Sequence, residues 1–392
     1  MDGARNHAGG GPVWLEPDAG SIDDFSILVS RRTDPADWPA AAAVEHNIPI
    51  YDGAAVRRAC ATPQTRRAFM AEWARIFRDG PGVLAIRDAV DREAVDRATL
   101  LFERLIGEER ESGAGGGDHF AKPGANDRVW NAAQKHCLAD PEGFAAYYAS
   151  DAIAAASEAW LGPNYQLTAQ VNRVNPGGAA QTPHRDYHLG FMTLEDAVSY
   201  PAQCHAMSPL LTLQGAVAHC DMPLDSGPTM LLPYSQAFFE GYVAFHHEAY
   251  REVFARHHVQ LPLQTGDAMF FNPALMHGAG TNRSPDIRRM ANLLQVGSAF
   301  GRSIETVDRE AMVAALYPVL AGRALSGRAR ENVIAASAEG YAYPTNLDRD
   351  PPAPGSLAPL SPAQIMRAAL AEGKSAEAFV AEIRAAAERR RA

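Results

Sequence analysis

Hydrophobic and polar positions alternate with a period of two along "YQLTAQVNRVNPGG", residues 165–178. One face carries Leu167, Ala169, Val171 and Arg173, and the other carries Gln166, Thr168, Gln170 and Asn172. Because successive side chains of a strand point to opposite faces, this pattern predicts a strand with one polar face. We expect that face to line a pocket and the Pro-Gly-Gly turn to end the strand.

Short apolar runs separated by turn residues continue through the second half of the chain, in "SPLLTLQGAVAHCDM", "DSGPTMLLPYSQ", "VQLPLQTGDAMFFNPALMH" and "RRMANLLQVGSAFG". Helical spacing precedes them, with Thr62 as a candidate N-cap ahead of Phe69, Trp73 and Phe77, and with Asp91 as the cap of a second apolar stripe. Several short strands between helices predict a mainly β core with α additions. The expected fold is a double-stranded β-helix (jelly roll, cupin-like) flanked by N- and C-terminal helices.

The pattern divides the chain into three parts. Residues 1–69 are expected to form an N-terminal extension in which "SIDDFSILVS" is the only strand-like run. Residues 70–300 would form the jelly-roll domain, and residues 301–392 a helical C-terminal extension that packs on the core. The last part has a capping-box signature at Ser361 and Gln364. Its helices are also a candidate surface for a homodimer.

Composition narrows the classes of partner and location. A formal net charge of −10 and a pI near 5.7 give no general attraction to nucleic acid or to anionic membranes, so we expect neither as a partner. The four cysteines show no C-x-x-C spacing, which excludes an evident zinc knot and fits reduced thiols in a cytosol. No basic, apolar leader or long apolar segment occurs in the sequence, so a cytoplasmic protein is expected.

The stretch "TPHRDYHLGF", residues 182–191, concentrates groups that bind metals or move protons. On a helix, His184 and His188 would share one face, whereas on a strand His184 would share a face with Asp186. The flanking Pro183 and Gly190 leave no room for a stable helix. Extended backbone is therefore predicted, with His184 and Asp186 as the metal-binding pair.

A third ligand is expected at His277, which "TGDAMFFNPALMHGAG" places at the end of an apolar strand and before a glycine-rich turn. Two histidines and one carboxylate, with coordination positions left open, form the facial triad of non-haem iron(II) oxygenases. His277 lies 91 residues beyond Asp186, and Arg288 follows 11 residues later. Together these positions are a stronger signal than the H-x-D motif alone.

These motifs resemble the phytanoyl-CoA dioxygenase family of Fe(II)/2-oxoglutarate oxygenases, from about residue 70 to residue 300. The resemblance rests on "FRDGPGVLAIRDAVDREAVDRA", "PHRDYH", "DSGPTMLLPYSQ" and "GDAMFFNPALMHGAGTNRSPDIRR". It implies an enzyme that hydroxylates or desaturates an unactivated C–H bond of a small-molecule substrate. Fe(II), 2-oxoglutarate and dioxygen would take part, with release of succinate and CO2.

By position in these motifs, His184, Asp186 and His277 would bind iron, and Arg288 would pair with the distal carboxylate of 2-oxoglutarate, as a planar guanidinium suits. Arg289 is the rival, because neighbouring strand residues face opposite ways. Gln170, Asn172 and Gln214 are candidate contacts of the cosubstrate.

Two other functions stay open at this point. One is a cupin-like metalloenzyme that does not use 2-oxoglutarate, and the other is a catalytically silent small-ligand-binding protein. A buried carboxylate clamp would argue against the first, and an intact triad against the second. No residue selects among small-molecule substrates.

Overall fold

The computed structural model describes residues 12–112, 124–322, 325 and 327–391. Lys122, which the sequence offers as a weaker anion contact, lies outside these residues. The described strands are β1 (Ala43–Glu45), β2 (Ile48–Asp52), β3 (Val83–Arg87), β4 (Asn126–Val129), β5 (Gln166–Val174), β6 (Thr212–Ala218), β7 (Met230–Leu231), β8 (Ala268–Phe271), β9 (His277–Gly278) and β10 (Arg289–Gly297).

Eight of these strands form one large sheet in the order β1-β2-β3-β8-β6-β10-β5-β4. The pairs are antiparallel except for β2 with β3. The long strands β5 and β10 pair along their whole length, from Gln166 opposite Gly297 to Val174 opposite Arg289. This pairing is the longest in the sheet, and β4 continues the sheet beyond β5 as its edge strand.

A second, smaller sheet faces the large one. Its strands β7 and β9 pair with each other, and isolated bridges extend it, from His277 to His184 on one side and from Leu231 to Val259 on the other. Leu231 packs in one buried cluster with residues of the large sheet such as Val83 and Met269. Two sheets packed over a shared core are the jelly-roll arrangement, so the predicted fold class is confirmed.

The two faces of the large sheet have different surroundings. Leu167, Ala169 and Val171 of β5 point outward into the largest core, which the helices cover. Thr168, Gln170 and Asn172 point the other way, toward the space between the sheets, because they alternate with the outward residues. The alternation predicted for this strand is therefore confirmed.

The helices surround the sheets. They are α1 (Ile22–Val29), α2 (Gly53–Ala59), α3 (Pro63–Arg78), α4 (Arg92–Glu111), α5 (Ala132–Ala139), α6 (Pro141–Tyr148), α7 (Asp151–Leu161), α8 (Leu194–Val198), α9 (Ala202–Met207), α10 (Gly241–Ala244), α11 (Glu248–His257), α12 (Arg309–Gly322), α13 (Gly327–Ser337), α14 (Pro362–Glu372) and α15 (Ala376–Arg390). Helix α12 packs on α5, α6 and α15, which joins the C-terminal helices to the outer core. Thr62, Asp91 and Ser361 cap helices as predicted, Ser361 in a full capping box with Gln364.

The strand-like interpretation of "SIDDFSILVS" is wrong, because Ile22–Val29 form helix α1. The Ser21 side chain accepts from the Asp24 amide, and acidic residues occupy the first turn, both of which favour a helix start. Phe25 and Val29, four residues apart, are its buried positions. The first strands of the large sheet instead come later, at β1 and β2.

Within the described residues, no helix is both long and apolar enough to cross a membrane. The cytoplasmic location stays a prediction.

Candidate metal centre

His184, Asp186 and His277 converge at the edge of the smaller sheet. Their ligand atoms all lie within 4.8 Å of one another. The Asp186 carboxylate stands between the rings, with Oδ1 3.7 Å from Nε2 of His184 and Oδ2 3.5 Å from Nε2 of His277. A β-bridge between His184 and His277 holds the two backbones together. The expectation of extended backbone at His184 is thereby confirmed.

The two histidine rings are oriented in the same way. Nδ1 of His184 lies 2.8 Å from the Thr182 carbonyl, and Nδ1 of His277 lies 2.8 Å from the Leu275 carbonyl. Because a carbonyl only accepts, each Nδ1 donates its proton to the carbonyl, which leaves Nε2 as the ring nitrogen that can bind a metal. Both Nε2 atoms are turned toward Asp186. Backbone carbonyls thus set the tautomer that a metal ligand requires.

Arg185, between the two ligands of the H-x-D motif, points away from the centre and anchors it. Its guanidinium is buried, donates to the Ser235 carbonyl and lies over the ring of Tyr242, 5.4 Å from the centroid. The Tyr242 hydroxyl in turn donates to the Asp186 carbonyl at 2.8 Å. A Cβ at Gly241 would collide with this guanidinium. Contacts with residues distant in sequence therefore fix the position of the motif, and the sequence of the motif alone does not reveal them.

Gln214 fixes the carboxylate of the triad. It projects inward from β6, and its Nε2 donates to Asp186 Oδ2 at 2.6 Å. Burial alone would raise the pKa of the Asp186 carboxyl, but His277, His184 and Gln214 together outweigh burial and lower it. The acid is therefore held as a carboxylate, the form that binds a cation. The sequence predicted Gln214 as a cosubstrate contact, whereas its amide nitrogen donates to the Asp186 carboxylate.

The two arginines at the start of β10 have different environments. Arg288 is exposed, whereas Arg289 is 7% exposed and lies on the inner face of the strand. Nη1 of Arg289 donates to the carbonyls of Ser226 at 3.1 Å and Gly280 at 3.4 Å. The prediction that Arg288 points inward is thus wrong, and its neighbour Arg289 points inward instead. The register of β10 sets this direction, which the sequence left open between the two residues.

Burial lowers the pKa of Arg289 to about 10, yet a guanidinium with that pKa stays charged near neutral pH. Within the part of the chain that the structure describes, no carboxylate lies within ion-pair distance of it. A buried cation without a counter-ion is costly, which makes this position suited to an anionic ligand.

Gln170 and Asn172, the other predicted cosubstrate contacts, both lie on the inner face of β5. The Gln170 carbonyl oxygen accepts from Nη1 of Arg128 at 3.1 Å. The Asn172 carbonyl oxygen is buried and has no hydrogen-bond partner among the described residues. The structure thus places both residues in the space between the sheets.

Sequence reasoning missed three polar residues of this interior. Tyr187, next to Asp186, donates its hydroxyl to the Gln295 side chain, and Arg128 projects inward from β4 opposite Asn172. Gln295 lies opposite Gln214 in the register of β10 with β6. The period-two rule applied to "RRMANLLQVG" from Arg289 would have found Gln295. Edge strand β4 is only four residues long and gave no such signal.

Comparison with known protein families gives one match. The family model described as "Phytanoyl-CoA dioxygenase (PhyH)" covers residues 79–290, more than half of the chain, and includes all three residues of the triad. No curated protein matches the chain.

Solved structures with similar folds include several metal-dependent enzymes. The non-heme alpha-ketoglutarate-dependent epimerase SnoN from nogalamycin biosynthesis is 20% identical, covering 61% of this chain and 85% of its own, with a TM-score of 0.41. EctD from S. alaskensis with bound Fe is 18% identical, covering 60% and 78%, with a TM-score of 0.43. HygX from Streptomyces hygroscopicus with nickel and 2-oxoglutarate bound is 16% identical, covering 60% and 90%, with a TM-score of 0.41. TM-scores this low do not by themselves assign a substrate or a reaction to this chain.

Proposed function

The chain belongs to the phytanoyl-CoA dioxygenase family of Fe(II)/2-oxoglutarate-dependent enzymes, and from that membership we propose that it oxidises an unactivated C–H bond of a small-molecule substrate. The proposed outcome is hydroxylation or desaturation, with dioxygen as the second substrate. The observation that carries the proposal is the convergence of His184, Asp186 and His277 within 4.8 Å.

The donor set fits Fe(II). Two imidazole nitrogens and one carboxylate are the ligands of the facial triad, which leaves coordination positions for other molecules. Among the described residues no cysteine joins this group, in contrast to the thiolate ligands common in closed zinc sites. When bound, Fe(II) and 2-oxoglutarate supply the oxidising chemistry, in which 2-oxoglutarate is converted to succinate and CO2.

The chain's own residues have separate tasks. His184, Asp186 and His277 hold the metal, and Gln214 keeps the Asp186 carboxylate in place. Arg289, the buried inward guanidinium, binds the distal carboxylate of 2-oxoglutarate, for which its planar donors are suited. Gln170 and Asn172 offer amide groups beside the cosubstrate. The surrounding sheets keep water from the bound groups, which strengthens each electrostatic contact.

Arg289 also separates this proposal from the cupin-like alternative. An enzyme that does not use 2-oxoglutarate has no need of a buried cation that faces the interior and has no counter-ion among the described residues. The silent ligand-binding alternative does not account for two histidines whose tautomers both direct Nε2 to one carboxylate. Both alternatives are therefore less well supported. Dimer formation through the helices after residue 300 stays a prediction.

The neighbouring arginines provide the test of the proposal. The affinity for 2-oxoglutarate is measured by calorimetry on protein loaded with Mn(II), and succinate release is measured with Fe(II). Arg289→Ala is expected to weaken 2-oxoglutarate binding by about 2–5 kcal/mol, the typical cost of truncating one partner of a buried charge pair. Arg288→Ala is the matched control and is expected to leave the affinity unchanged, because its side chain is exposed.

The opposite pattern, with the loss confined to Arg288→Ala, would restore the assignment made from the sequence. Equal affinity in both variants would favour the cupin-like alternative. A screen of small molecules for stimulated succinate release and a product mass shift then identifies the substrate.

A further inference from the structure

The end of the large sheet that lies nearest the metal centre can be located from the strand ends. β5 and β6 begin there and β10 ends there, since Gly297 pairs with both Gln166 and Thr212. The Gln214–Gln295 pair lies two residues inward from that end. Because Gln214 holds Asp186, the metal centre is near this end. The inference below rests on the proposed function, since it concerns the substrate of the same site.

Three aromatic side chains form a row at this end. Phe300, which follows β10, meets Tyr341 with ring centroids 5.6 Å apart and planes at 86°. Tyr341 meets Tyr343 at 5.0 Å and 75°, and the Tyr343 hydroxyl donates to the Ala299 carbonyl. Edge-to-face contacts and this hydrogen bond hold the row in place. Phe300 nevertheless remains 71% exposed and Tyr343 52% exposed.

Two further exposed rings lie beside the polar residues of the same interior. Trp130 directly follows β4 and lies under the Arg128 guanidinium, 5.0 Å from the centroid. The residue after it, Asn131, is bound to Glu305 and Thr306 of the segment that follows Phe300. Phe191 contacts Tyr187 edge to face at 5.1 Å, and Tyr187 reaches the Gln295 side chain inside. Trp130, Phe191, Phe300, Tyr341 and Tyr343 are called the aromatic collar below.

Exposed rings near the same end of the sheet as the metal centre differ from apolar residues scattered singly over a surface. Exposed apolar surface beside a ligand site is a candidate binding surface. Aromatic side chains also lose little conformational freedom when a ligand covers them. The inner wall behind the collar is polar, with Arg128, Gln170 and Asn172 in neighbouring positions. A ligand spanning both regions must be apolar at one end and polar at the other.

We propose that the aromatic collar is the substrate-recognition surface of this enzyme and that its substrate is a planar, apolar ring system bearing a polar substituent. The flat part stacks on the collar, and the polar substituent enters toward Arg128, Gln170 and Asn172. Tyr341 and Tyr343 lie beyond residues 79–290, the part that matches the family. Substrate selection therefore depends in part on the C-terminal extension.

The probe is 2-naphthol, and its matched control is decahydro-2-naphthol, which has the same carbon skeleton without planarity. Binding is measured by calorimetry on the full chain loaded with Fe(II) and saturating 2-oxoglutarate under nitrogen. We expect 2-naphthol to bind about tenfold more tightly than the saturated alcohol, as two ring contacts allow. Phe300→Ser and Trp130→Ser are each expected to weaken 2-naphthol binding about fivefold. Leu357→Ser, at an exposed apolar residue in the loop before α14, should leave it unchanged.

Equal affinity for the two alcohols would overturn the planar substrate class. Unchanged 2-naphthol binding in both Phe300→Ser and Trp130→Ser would overturn the location. A change in molecular mass on Phe300→Ser, without a change in 2-naphthol binding, would make the collar a contact between copies of the chain and also overturn the proposal. The affinity for 2-oxoglutarate alone, measured in the same samples, tests the proposed function separately, because no collar residue holds the cosubstrate.

Discussion

Histidines lie on both sides of the large sheet, but their ring nitrogens have different partners. On the inner side, His184 and His277 bind backbone carbonyls through Nδ1 and turn Nε2 toward Asp186. On the outer side, His219 has Nδ1 2.7 Å from Thr99 Oγ1 and Nε2 2.9 Å from the Tyr147 hydroxyl. Neutral protein groups therefore occupy both nitrogens of His219. Residue type does not distinguish the two sites, and His277 is as buried as His219, whereas the direction of Nε2 does distinguish them.

The charges around the two sites differ in the same sense. Within the described residues, the triad is the only group of three or more metal-binding side chains close enough to share an ion. His219 contacts no carboxylate among the residues that the structure describes, and burial lowers its pKa to about 3, so it stays neutral and serves the packing of helices on the sheet. The histidines that we propose as metal ligands are thus the two whose Nε2 faces a carboxylate.

The largest effect is expected when the inner carboxylate is removed. Asp186→Ala takes away one of three ligands and the group that faces both Nε2 atoms, so the protein should fail to retain Fe(II) and should lose turnover. Metal content after anaerobic loading and desalting is the measurement. The matched control is His219→Gln on the outer face, which should retain the metal while unfolding at lower denaturant concentration.

Loss of metal from His219→Gln together with retention by Asp186→Ala would reverse the comparison. The metal would then lie on the outer side of the sheet.

The sequence predicted the inner site better than the outer one, and the reason is local. His184 and Asp186 lie two residues apart on extended backbone, so one strand brings them together, and Pro183 and Gly190 reveal that backbone. His219, directly after β6, bonds to Thr99 of α4 and Tyr147 of α6, which are 120 and 72 residues away in sequence. No local pattern reports contacts over such separations.

The choice between Arg288 and Arg289 failed for a related reason. A shift of one residue in strand register reverses which side chain faces inward. That register is set by the pairing of β10 with β5 and β6, not by the residues around the arginines. Helix α1 shows a second ambiguity, one of local sequence. A short apolar run fits either a strand or a buried helix, and the N-cap residue distinguishes the two.

A smaller effect is expected at Gln214, which contacts a proposed metal ligand rather than the metal. Gln214→Leu removes the donor that holds Asp186 Oδ2, and loss of such a supporting contact typically lowers metal affinity by about 10–100-fold. Metal affinity is measured by competition with a chelator. Gln170→Leu is the matched control on the same inner wall, because the Gln170 amide bonds to Arg128 rather than to a proposed metal-binding residue. Equal metal affinity in the two variants would show that Asp186 does not depend on Gln214 for its position.

The outer face should make the fold sensitive to acid. Burial lowers the pKa of His136 to about 4 and that of His219 to about 3, from an ordinary value of 6.5. Below about pH 6.5 the unfolded chain therefore binds protons that the folded chain does not, so the free energy of unfolding falls as the pH falls toward 4. Each histidine contributes at most about 1.4 kcal/mol per pH unit. Above about pH 6.5 both contributions to stability are fully present.

Urea unfolding at a series of pH values measures this slope. His136→Phe removes one of the two groups and should flatten the dependence, since His136 is ringed by Phe102, Phe144, Tyr147 and Tyr148 and accepts an aromatic neighbour. A slope identical to that of the parent chain would mean that His136 is not held neutral in the folded state.

The smallest effect is expected at His188, the second histidine of the segment around the metal motif. It is exposed, its backbone has a φ of 49°, and its nearest polar contact is Ser208 Oγ at 3.4 Å from Nδ1. The chain turns into a short 3₁₀ helix at this residue, so His188 does not share the face of His184 and Asp186. His188→Ala should keep metal content within about twofold of the parent chain. Substitution of an exposed side chain that joins no buried network usually has a small effect on the folded protein. Substrate binding and turnover are the only properties that we expect His188→Ala to alter. If His188→Ala instead loses the metal while Asp186→Ala keeps it, the segment binds through a helical face, and the extended backbone on which the whole inner site depends would be wrong.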